Sequence, residues 1–484
     1  MTMMLRSARR SLHTVGNVAA SLPRQVNIVS AQGLVQAGEK KKDINANTPS
    51  DDSSNNGNPA TTTSMIQTVL SRSLKEAQLE LSDLDALIAV PSLREKHFME
   101  AHYQATTLGM FQARPNLRCK TIGTGGAGPV SALLEGVRMI KYEGLECVAV
   151  VAADTVGSMS AEKFLENADT IFLKLKDPKV KSPAIPHGYD KLTQYQMETF
   201  GVTRDQLRMS VCLESLHAGL HPDSLFRQKE LEKQQPQAGN STVVKQSSMP
   251  ENNNDILYTA LDQVQEASSV TPNISILECA RRADGAACIL LTSNRFLARR
   301  GQYSDMLPTV IGVGEYSGPL YPLGKVDENH FSCEKAMNFA YASAGNLTAH
   351  DIDFFGLYDC FPVCLIRALE SSGLCAKGQA GEYLQEQYDR MMGAIQKQEV
   401  DNGKHVNELL QDKSFWPVNT HGGLLCFGAP WEVPAMYNII EAVYQLRGQA
   451  KGRQIQDCRR ALVYGNGGIL SASAVAILSV SRSL

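Results

Sequence analysis

The sequence lacks several features that would place it quickly in a class of proteins. No run approaches the roughly 18 consecutive apolar residues of a membrane-spanning helix, so we expect no membrane span. The 11 cysteines are odd in number and form no CxxC pair, which argues against a disulfide framework and against a metal site. The net charge is only -3, so neither nucleic acid nor an anionic membrane is indicated as a partner.

Acidic residues are missing from the start of the chain, where the first one is Glu39. On a helical projection, Arg6, Arg9 and Arg10 lie opposite an apolar arc. A basic, serine-containing amphipathic helix without acids is typical of a mitochondrial transit peptide. We therefore predict a transit peptide over residues 1–24 and a mitochondrial location, with an unstructured basic tail as the alternative.

What the chain does contain is apolar sequence, 43% of 484 residues, which is enough for a large core. Residues 39–63 are polar and of low complexity, which predicts a disordered loop. Strand and helix patterns then alternate, which predicts an α/β protein with largely parallel strands. The charged, helix-rich segment 156–255 interrupts this alternation and is interpreted as an inserted loop domain. It divides a first half, 25–155 and 256–306, from a second half, 307–484.

Each half contains a glycine-rich turn that leads into a helix, and each includes a strand of small residues near its end. This weak repetition predicts two similar halves packed together. Apolar stripes predict helices over 66–77, 130–140, 332–344 and 433–443, and a further helix from Phe361. The predicted strands are 25–30, 84–90, 117–122, 147–152, 274–279, 285–291, 309–313, 354–358, 460–464 and 472–480.

A GxGxxG pattern formed by Gly123, Gly125 and Gly128 lies between a predicted strand and a helix. That context fits a dinucleotide-binding loop, whose glycines admit a pyrophosphate at a helix N-terminus. The strand before it carries Arg118 and Lys120, however, whereas the central strand beneath such a loop should be apolar. An NAD(P)-dependent oxidoreductase is therefore one alternative, and a tight glycine turn into a helix is the other.

Motifs elsewhere occur in a recognisable order. They are the segments 126–133 (GAGPVSAL), 279–287 (CARRADGAA), 358–361 (YDCF), 419–423 (NTHGG) and 428–430 (GAP). This order resembles the thiolase superfamily, most closely its sterol-carrier-protein type, from about residue 64 to the end. The resemblance implies a thiolase-like fold, with two βαβ-rich halves layered as α-β-α-β-α and an inserted loop domain. It also implies a protein of lipid metabolism that takes CoA or acyl-CoA as its ligand.

The positions that carry catalysis in the family are altered here. Gly126 stands where the family has its nucleophilic cysteine, and Ala429 stands where it has the histidine that activates that cysteine. The histidine of the family's His-Asp-Cys-Phe motif is replaced by Tyr358, whereas the cysteine of that motif is kept as Cys360. The resemblance thus implies CoA-thioester binding, with thiolase turnover lost or very weak. The alternative is an active acyltransferase of the 3-ketoacyl-CoA thiolase type, with Cys360 as its acid/base.

The candidate catalytic residues are therefore Cys360, Tyr358 and His421, the last as a spatial substitute for the missing histidine. No permanently bound cofactor is expected. The candidate residues for binding CoA are Gly126, Arg227, Asn419, Gly423, Gly428 and Asn466, with phosphate-neutralising lysines at 174, 176, 179 and 181.

Strand 117–122 matches the edge strand through which thiolases commonly pair. Arg118 and Lys120 point to one face of it, and like charges facing their two-fold copies repel. No acid within the strand offsets them, although nearby loops could supply one. We therefore expect a monomer or a weak homodimer.

Overall fold

The computed structural model describes residues 24–38, 60–173, 180–234, 256–322, 324–401 and 404–481. Nearly all of the predicted transit peptide, most of the predicted loop 39–63 and the lysines at 174, 176 and 179 lie outside these ranges. The strands are β1 (Val26–Gln36), β2 (Ala86–Ala89), β3 (Arg118–Thr121), β4 (Cys147–Asp154), β5 (Ser269–Thr271), β6 (Ile274–Ser275), β7 (Asp284–Ser293), β8 (Thr309–Ser317), β9 (Phe354–Gly356), β10 (Arg460–Gly467) and β11 (Ala472–Ser479). The helices are α1 (Thr62–Ala77), α2 (Glu100–Thr107), α3 (Met110–Ala113), α4 (Gly128–Tyr142), α5 (Ala161–Leu173), α6 (Ala184–Phe200), α7 (Arg204–Leu220), α8 (Leu225–Gln234), α9 (Leu261–Gln265), α10 (Asn294–Arg299), α11 (Cys333–Ser343), α12 (Pro362–Ser372), α13 (Ala380–Asp401), α14 (Lys404–Gln411) and α15 (Pro434–Arg447).

A nine-stranded sheet runs through the molecule in the order β3-β2-β4-β7-β1-β8-β11-β10-β9. Its two parts meet between β1 and β8, whose pairing register contains only Asn27 and Thr309. The Thr309 hydroxyl donates to the Asn27 side-chain oxygen at 2.9 Å. The Ile28 amide also donates to the Pro308 carbonyl at 2.8 Å. The sheet therefore consists of two half-sheets that are joined over a short stretch.

Both half-sheets repeat one strand order. In the first, β3 and β4 pair in parallel with β2, and β7 lies antiparallel between β4 and β1. In the second, β9 pairs in parallel with β10, and β11 lies antiparallel between β10 and β8. A parallel bridge from Phe355 to Val418 takes the place that β3 has in the first half. The predicted pair of similar halves is confirmed.

The two half-sheets enclose a pair of buried helices. Helix α4 packs on β4 of the first half and on β10 and β11 of the second, and α15 packs on β10, β9 and β1. Helices α1 and α11 cover the outer faces of the first and second half-sheet, respectively. Val130, Leu133 and Ile140 on α4 are completely buried, as expected for a helix that is enclosed on both sides. The predicted α-β-α-β-α layering is confirmed.

The prediction of largely parallel strands is wrong. The turn between β10 and β11 occupies residues 468–471, whereas a parallel crossover needs about a dozen residues or more. The predicted strand 274–279 is also too long, because β6 ends at Ser275 and a 3-10 turn follows over Ile276–Glu278. The buried carboxylate of Glu278 accepts from the Ser275 amide at 2.8 Å and so turns the chain.

The predicted disordered loop also reaches too far into the ordered region. Helix α1 begins at Thr62, because the Thr61 hydroxyl accepts from the Ser64 amide at 3.1 Å and caps the helix. The segment interpreted as an insertion contains helices α5 to α8 in its described part. No described helix is both long and apolar enough to cross a lipid bilayer.

Candidate active site

Strand β3 leads through a glycine-rich loop into α4, whose N-terminus faces the second half of the protein. A Cβ atom built on Gly126 would overlap the hydroxyl of Tyr358 and the backbone carbonyl of Asn466. The Tyr358 hydroxyl therefore fills the space that a cysteine side chain at position 126 would need. The glycine at 126 and the tyrosine at 358 fit each other in volume, although they are far apart in sequence.

Close packing between the halves accounts for the glycines of the GxGxxG pattern. Gly125 has a φ of +64°, and a Cβ there would lie 3.0 Å from the Cα of Gly467. A Cβ on Gly467 would in turn overlap the carbonyl oxygen of Thr124. The loop thus presses against the turn between β10 and β11. This arrangement favours the reading of these glycines as a tight turn and gives the dinucleotide alternative no support.

Tyr358 and Cys360 lie on the loop between β9 and α12, and the structure brings both to the N-terminus of α4. Tyr358 is 6% exposed, and burial, together with the neighbouring Cys360, raises its pKa well above the usual value. Cys360 is half-buried, and its sulfur lies 3.4 Å from the sulfur of Cys364 on α12. Two of the three predicted catalytic residues therefore lie together.

The segment interpreted as an insertion contributes a tyrosine that was not predicted. Tyr189 on α6 is buried, and its hydroxyl donates to the Gly468 carbonyl at 2.7 Å. The same hydroxyl accepts from the amide nitrogen of Asn466 at 2.9 Å, and the ring stacks on Phe361 with centroids 4.6 Å apart. Asn466, a predicted ligand-binding residue, is thereby held at the site with its side-chain oxygen buried and unpartnered.

A second group missed from the sequence is the carboxyl of Glu432, in the turn that precedes α15. Its Oε2 atom is buried without a hydrogen-bond partner and lies 3.5 Å from the Cβ position of Gly128, the first residue of α4. Burial raises the pKa of Glu432 to about 8, and the nearby Asp154 adds to the shift. A lone glutamate in a turn carries no periodic or spacing signal, so sequence reasoning had nothing to detect.

Asp154, at the end of β4, completes this group of acids. Its carboxylate accepts from the Leu93 amide at 2.6 Å and from the Thr155 amide at 2.8 Å. Burial nevertheless raises its pKa to about 6. At neutral pH, Asp154 is therefore mostly charged while Glu432 is mostly protonated.

Comparison with known proteins gives a family match and several similar proteins. Residues 326–398 and 401–480 match the family model described as thiolase C-terminal domain-like. An acetyl-CoA acetyltransferase from Methanothermobacter thermautotrophicus is 25% identical over 61% of this chain and 63% of its own length. Human sterol carrier protein 2 is 30% identical over 43% of this chain and 35% of its own length. The chain thus matches less than two thirds of the length of either relative.

The whole described fold also overlays on solved structures. The Ltp2-ChsH2(DUF35) aldolase gives a TM-score of 0.67 at 17% identity, covering 95% of this chain and 98% of that one. Human mitochondrial 3-ketoacyl-CoA thiolase in complex with CoA gives 0.60 at 14% identity, covering 95% and 99%. A monomeric SCP2-thiolase like protein from Mycobacterium smegmatis gives 0.60 at 15% identity, covering 96% and 78%.

The chain is thiolase-like, in its fold and in its C-terminal domain. The resemblance predicted from the ordered motifs is confirmed. In this thiolase fold, the loops that carry Gly126, Tyr358 and Glu432 all meet at the N-terminus of α4.

The thiolase-like site does not include His421. The structure places this side chain in a different cavity, of about 140 Å³, whose lining includes His221, Tyr437 and Glu441 but none of the residues around Gly126. His421 is 2% exposed, its ring contacts Phe427 edge-on at 5.2 Å, and burial lowers its pKa to about 4. It is a buried neutral histidine rather than a neighbour of Tyr358 or Cys360.

The backbone of Ala429 is held by hydrogen bonds through both its amide and its carbonyl. The Ala429 amide donates to the Arg281 carbonyl at 2.6 Å, and the Ala283 amide donates to the Ala429 carbonyl at 3.3 Å. The loop that carries Ala429 is therefore anchored to the first half of the fold.

Most of the other residues predicted to bind CoA have structural partners. Asn419 uses its amide group to accept from the Leu357 amide at 2.7 Å and to donate to the Leu357 carbonyl at 2.9 Å. Gly423 packs on the buried Asp359, whose carboxylate accepts from the next two backbone amides. Arg227 donates to the carbonyl of Gly219 near the end of α7. Gly428, also predicted to bind CoA, adopts a φ of +139° in the loop before Ala429. Lys181, which was predicted to neutralise phosphate, is exposed.

Proposed function

We propose that this protein binds CoA thioesters at the N-terminus of α4 and does not catalyse thiolysis. The observation that carries the proposal is the overlap of the Tyr358 hydroxyl with the side-chain space of residue 126. No cysteine can be activated there, and loss of a covalent nucleophile costs on the order of 10⁶-fold in turnover. Ala429 removes the activating histidine as well.

Binding of the ligand does not depend on the missing cysteine. The fold still presents the N-terminus of a buried helix and glycine loops, which suit a thioester oxygen. The relatives named acetyl-CoA acetyltransferase and 3-ketoacyl-CoA thiolase in complex with CoA support CoA thioesters as the ligand class. We propose a role in lipid metabolism on the same basis.

Calorimetry with CoA, acetyl-CoA, acetoacetyl-CoA and NADPH tests the proposal. We expect binding of the CoA species, no binding of NADPH, and no thiolysis of acetoacetyl-CoA above background. Binding of NADPH alone would support the oxidoreductase alternative. An acetyl adduct on Cys119 or Cys360 accompanied by turnover would show that a nucleophilic site had been rebuilt and would contradict the proposal.

A second candidate function is carbon–carbon bond chemistry on a CoA thioester without a covalent intermediate. The observation that favours it is that Tyr358 and Glu432 lie beside the N-terminus of α4. Both groups bear protons at neutral pH. The solved structure named as an aldolase, which overlays on this fold, supports the reaction class. The alternative with Cys360 as acid/base belongs to the same class of chemistry.

For assembly, we propose a monomer or a weak homodimer. Strand β3 lies at the edge of the sheet. Its Arg118 pairs with Glu143 at 2.7 Å and its Lys120 pairs with Glu135 at 2.7 Å. The α4 helix thus supplies the acids that the strand lacks, so charge repulsion is weaker than the sequence indicates. The monomeric SCP2-thiolase like protein supports a fold that is stable without pairing.

A further inference from the structure

Three titratable side chains meet at the N-terminus of α4, and two of them lie outside every motif that carries the thiolase resemblance. They are Tyr358 from the loop after β9, Glu432 from the turn before α15, and Asp154 from the end of β4. Tyr358 reaches the position of Gly126, and Glu432 reaches the position of Gly128, two residues further along the same turn. The two side chains therefore border one another at the end of the helix.

The glutamate is the unusual member of this group. A buried carboxyl oxygen without a partner costs stability unless something else binds it. The Oε2 of Glu432 has no partner among the described residues, although the residue as a whole is only half-buried. The carboxyl oxygen is thus buried and unpartnered beside the N-terminus of α4, where a ligand bound at that terminus would meet it.

We propose that Glu432 is the acid–base group of this site, moving a proton on and off the α-carbon of a CoA thioester. The proposal rests on the proposed binding of CoA thioesters. The C–H bond at the α-carbon breaks as an O–H bond forms on the Glu432 carboxylate. The electron pair moves to the thioester oxygen as an enolate, which the Tyr358 hydroxyl stabilises by donating a hydrogen bond. Return of the proton from Glu432 to carbon reverses the step, and no other reactant is consumed.

The surroundings of Glu432 set the direction of its pH dependence. Burial and Asp154 raise its pKa to about 8, and the Trp431 side chain opposes them in part. Tyr358 also interacts with Glu432, and burial keeps this phenol protonated. The proton-accepting carboxylate therefore becomes more abundant as the pH rises through about 8, where half of it is ionised, and changes little only well above that value.

The test is exchange of the α-protons of acetyl-CoA in D₂O, followed by NMR on the full-length protein. We expect the wild type to exchange protons faster than buffer, with a rate that rises as the pH passes through about 8 and levels off only above that value. Glu432→Gln should slow exchange by about 10²-fold or more while acetyl-CoA still binds in calorimetry. Tyr358→Phe should also slow exchange by about 10²-fold, because it removes the donor to the enolate oxygen.

Glu214→Gln provides a matched control. Glu214 is likewise buried, with an unpartnered Oε2, and burial likewise raises its pKa. It lies on α7, however, where it accepts from Asn419 at 3.2 Å rather than facing α4. Its replacement should leave exchange unchanged.

Because Glu432 is mostly protonated at neutral pH, a neutral glutamine should be tolerated, and a thermal melt checks that each variant is folded.

The possible outcomes separate the two proposals. Two results would overturn the assignment of Glu432 and leave the proposal of CoA binding standing. One is that the Glu432→Gln variant exchanges the α-protons as fast as the wild type does. The other is that the wild type binds acetyl-CoA but exchanges no protons. A loss of exchange in Glu214→Gln equal to that in Glu432→Gln would also overturn it, by showing a general effect of buried glutamates. Failure of the wild type to bind any CoA species would overturn both proposals.

Discussion

Replacing Gly126 with cysteine should destabilise the protein rather than restore a thiolase. The new Cβ would overlap both the Tyr358 hydroxyl and the Asn466 carbonyl, and the latter is backbone within β10. Neither neighbour can move freely, because Tyr358 is buried and Asn466 is hydrogen-bonded to Tyr189. Overpacking of this kind costs about 1–3 kcal/mol, and we expect the upper part of that range.

A double-mutant cycle in urea measures whether Tyr358 is the cause. Tyr358→His removes the overlapping hydroxyl, so Gly126→Cys should cost about 1 kcal/mol less in that background than in the wild type. Gly393→Cys provides a control, because the space around Gly393 on α13 is open. If Gly126→Cys is as stable as the wild type, or if the two substitutions are simply additive, Tyr358 does not fill the nucleophile position and the reasoning fails. Thiolysis should stay absent from the double variant, since Ala429 leaves the thiol unactivated.

Further predictions concern stability, location and assembly. Gly393→Ala should stabilise the protein by about 0.5–1 kcal/mol in urea unfolding, because alanine favours a helix interior and meets no neighbour here; a loss of stability would contradict the open space. His421 has a pKa lowered to about 4 in the folded state, so its contribution to stability is present above the unfolded value of about 6.5 and falls as the pH drops. When the pH falls from 7 to 5, the free energy of unfolding of His421→Asn should therefore decrease by about 2 kcal/mol less than that of the wild type, as measured by urea unfolding at each pH. Equal decreases in the two proteins would show that His421 titrates normally. Deletion of residues 1–24 should leave the protein cytosolic when it is imaged in cells, and unchanged organelle location would refute the transit peptide. Light scattering across micromolar concentrations should give a monomer or a dimer that dissociates on dilution, and a dimer that persists would show that burial outweighs the charges on β3.

The sequence predicts those parts of the fold that depend on local pattern. The stripe of Val130, Leu133 and Ile140 predicts α4, and the glycine loop before it predicts the turn that precedes that helix. The direction of the strands could not be predicted in this way, because β7 pairs with β1, more than two hundred residues earlier in the chain. Periodicity within a segment contains no information about such a distant partner.

The residues of the candidate site likewise fall into those that a local motif identifies and those that depend on distant partners. Gly126, Tyr358 and Ala429 could be selected from the sequence because each belongs to a motif with fixed neighbours, and the structure brings Gly126 and Tyr358 together. Glu432 and Tyr189 could not, because each is a single residue whose role depends on burial and on partners from another element. His421 shows the opposite case: it belongs to a motif, yet its side chain turns into a separate cavity.

The short junction between the half-sheets, at Asn27 and Thr309, has a consequence for biosynthesis. Gly126 and Asp154 belong to the first half, whereas Tyr358 and Glu432 belong to the second. A nascent chain can form its first half-sheet completely while the ribosome has yet to make any residue that fills the space beside Gly126. Until the second half docks, α4 has no partner on one of its two faces and exposes apolar surface to the cytosol. We therefore expect the emerging chain to be most prone to aggregation in the interval between completion of β7 and arrival of α15.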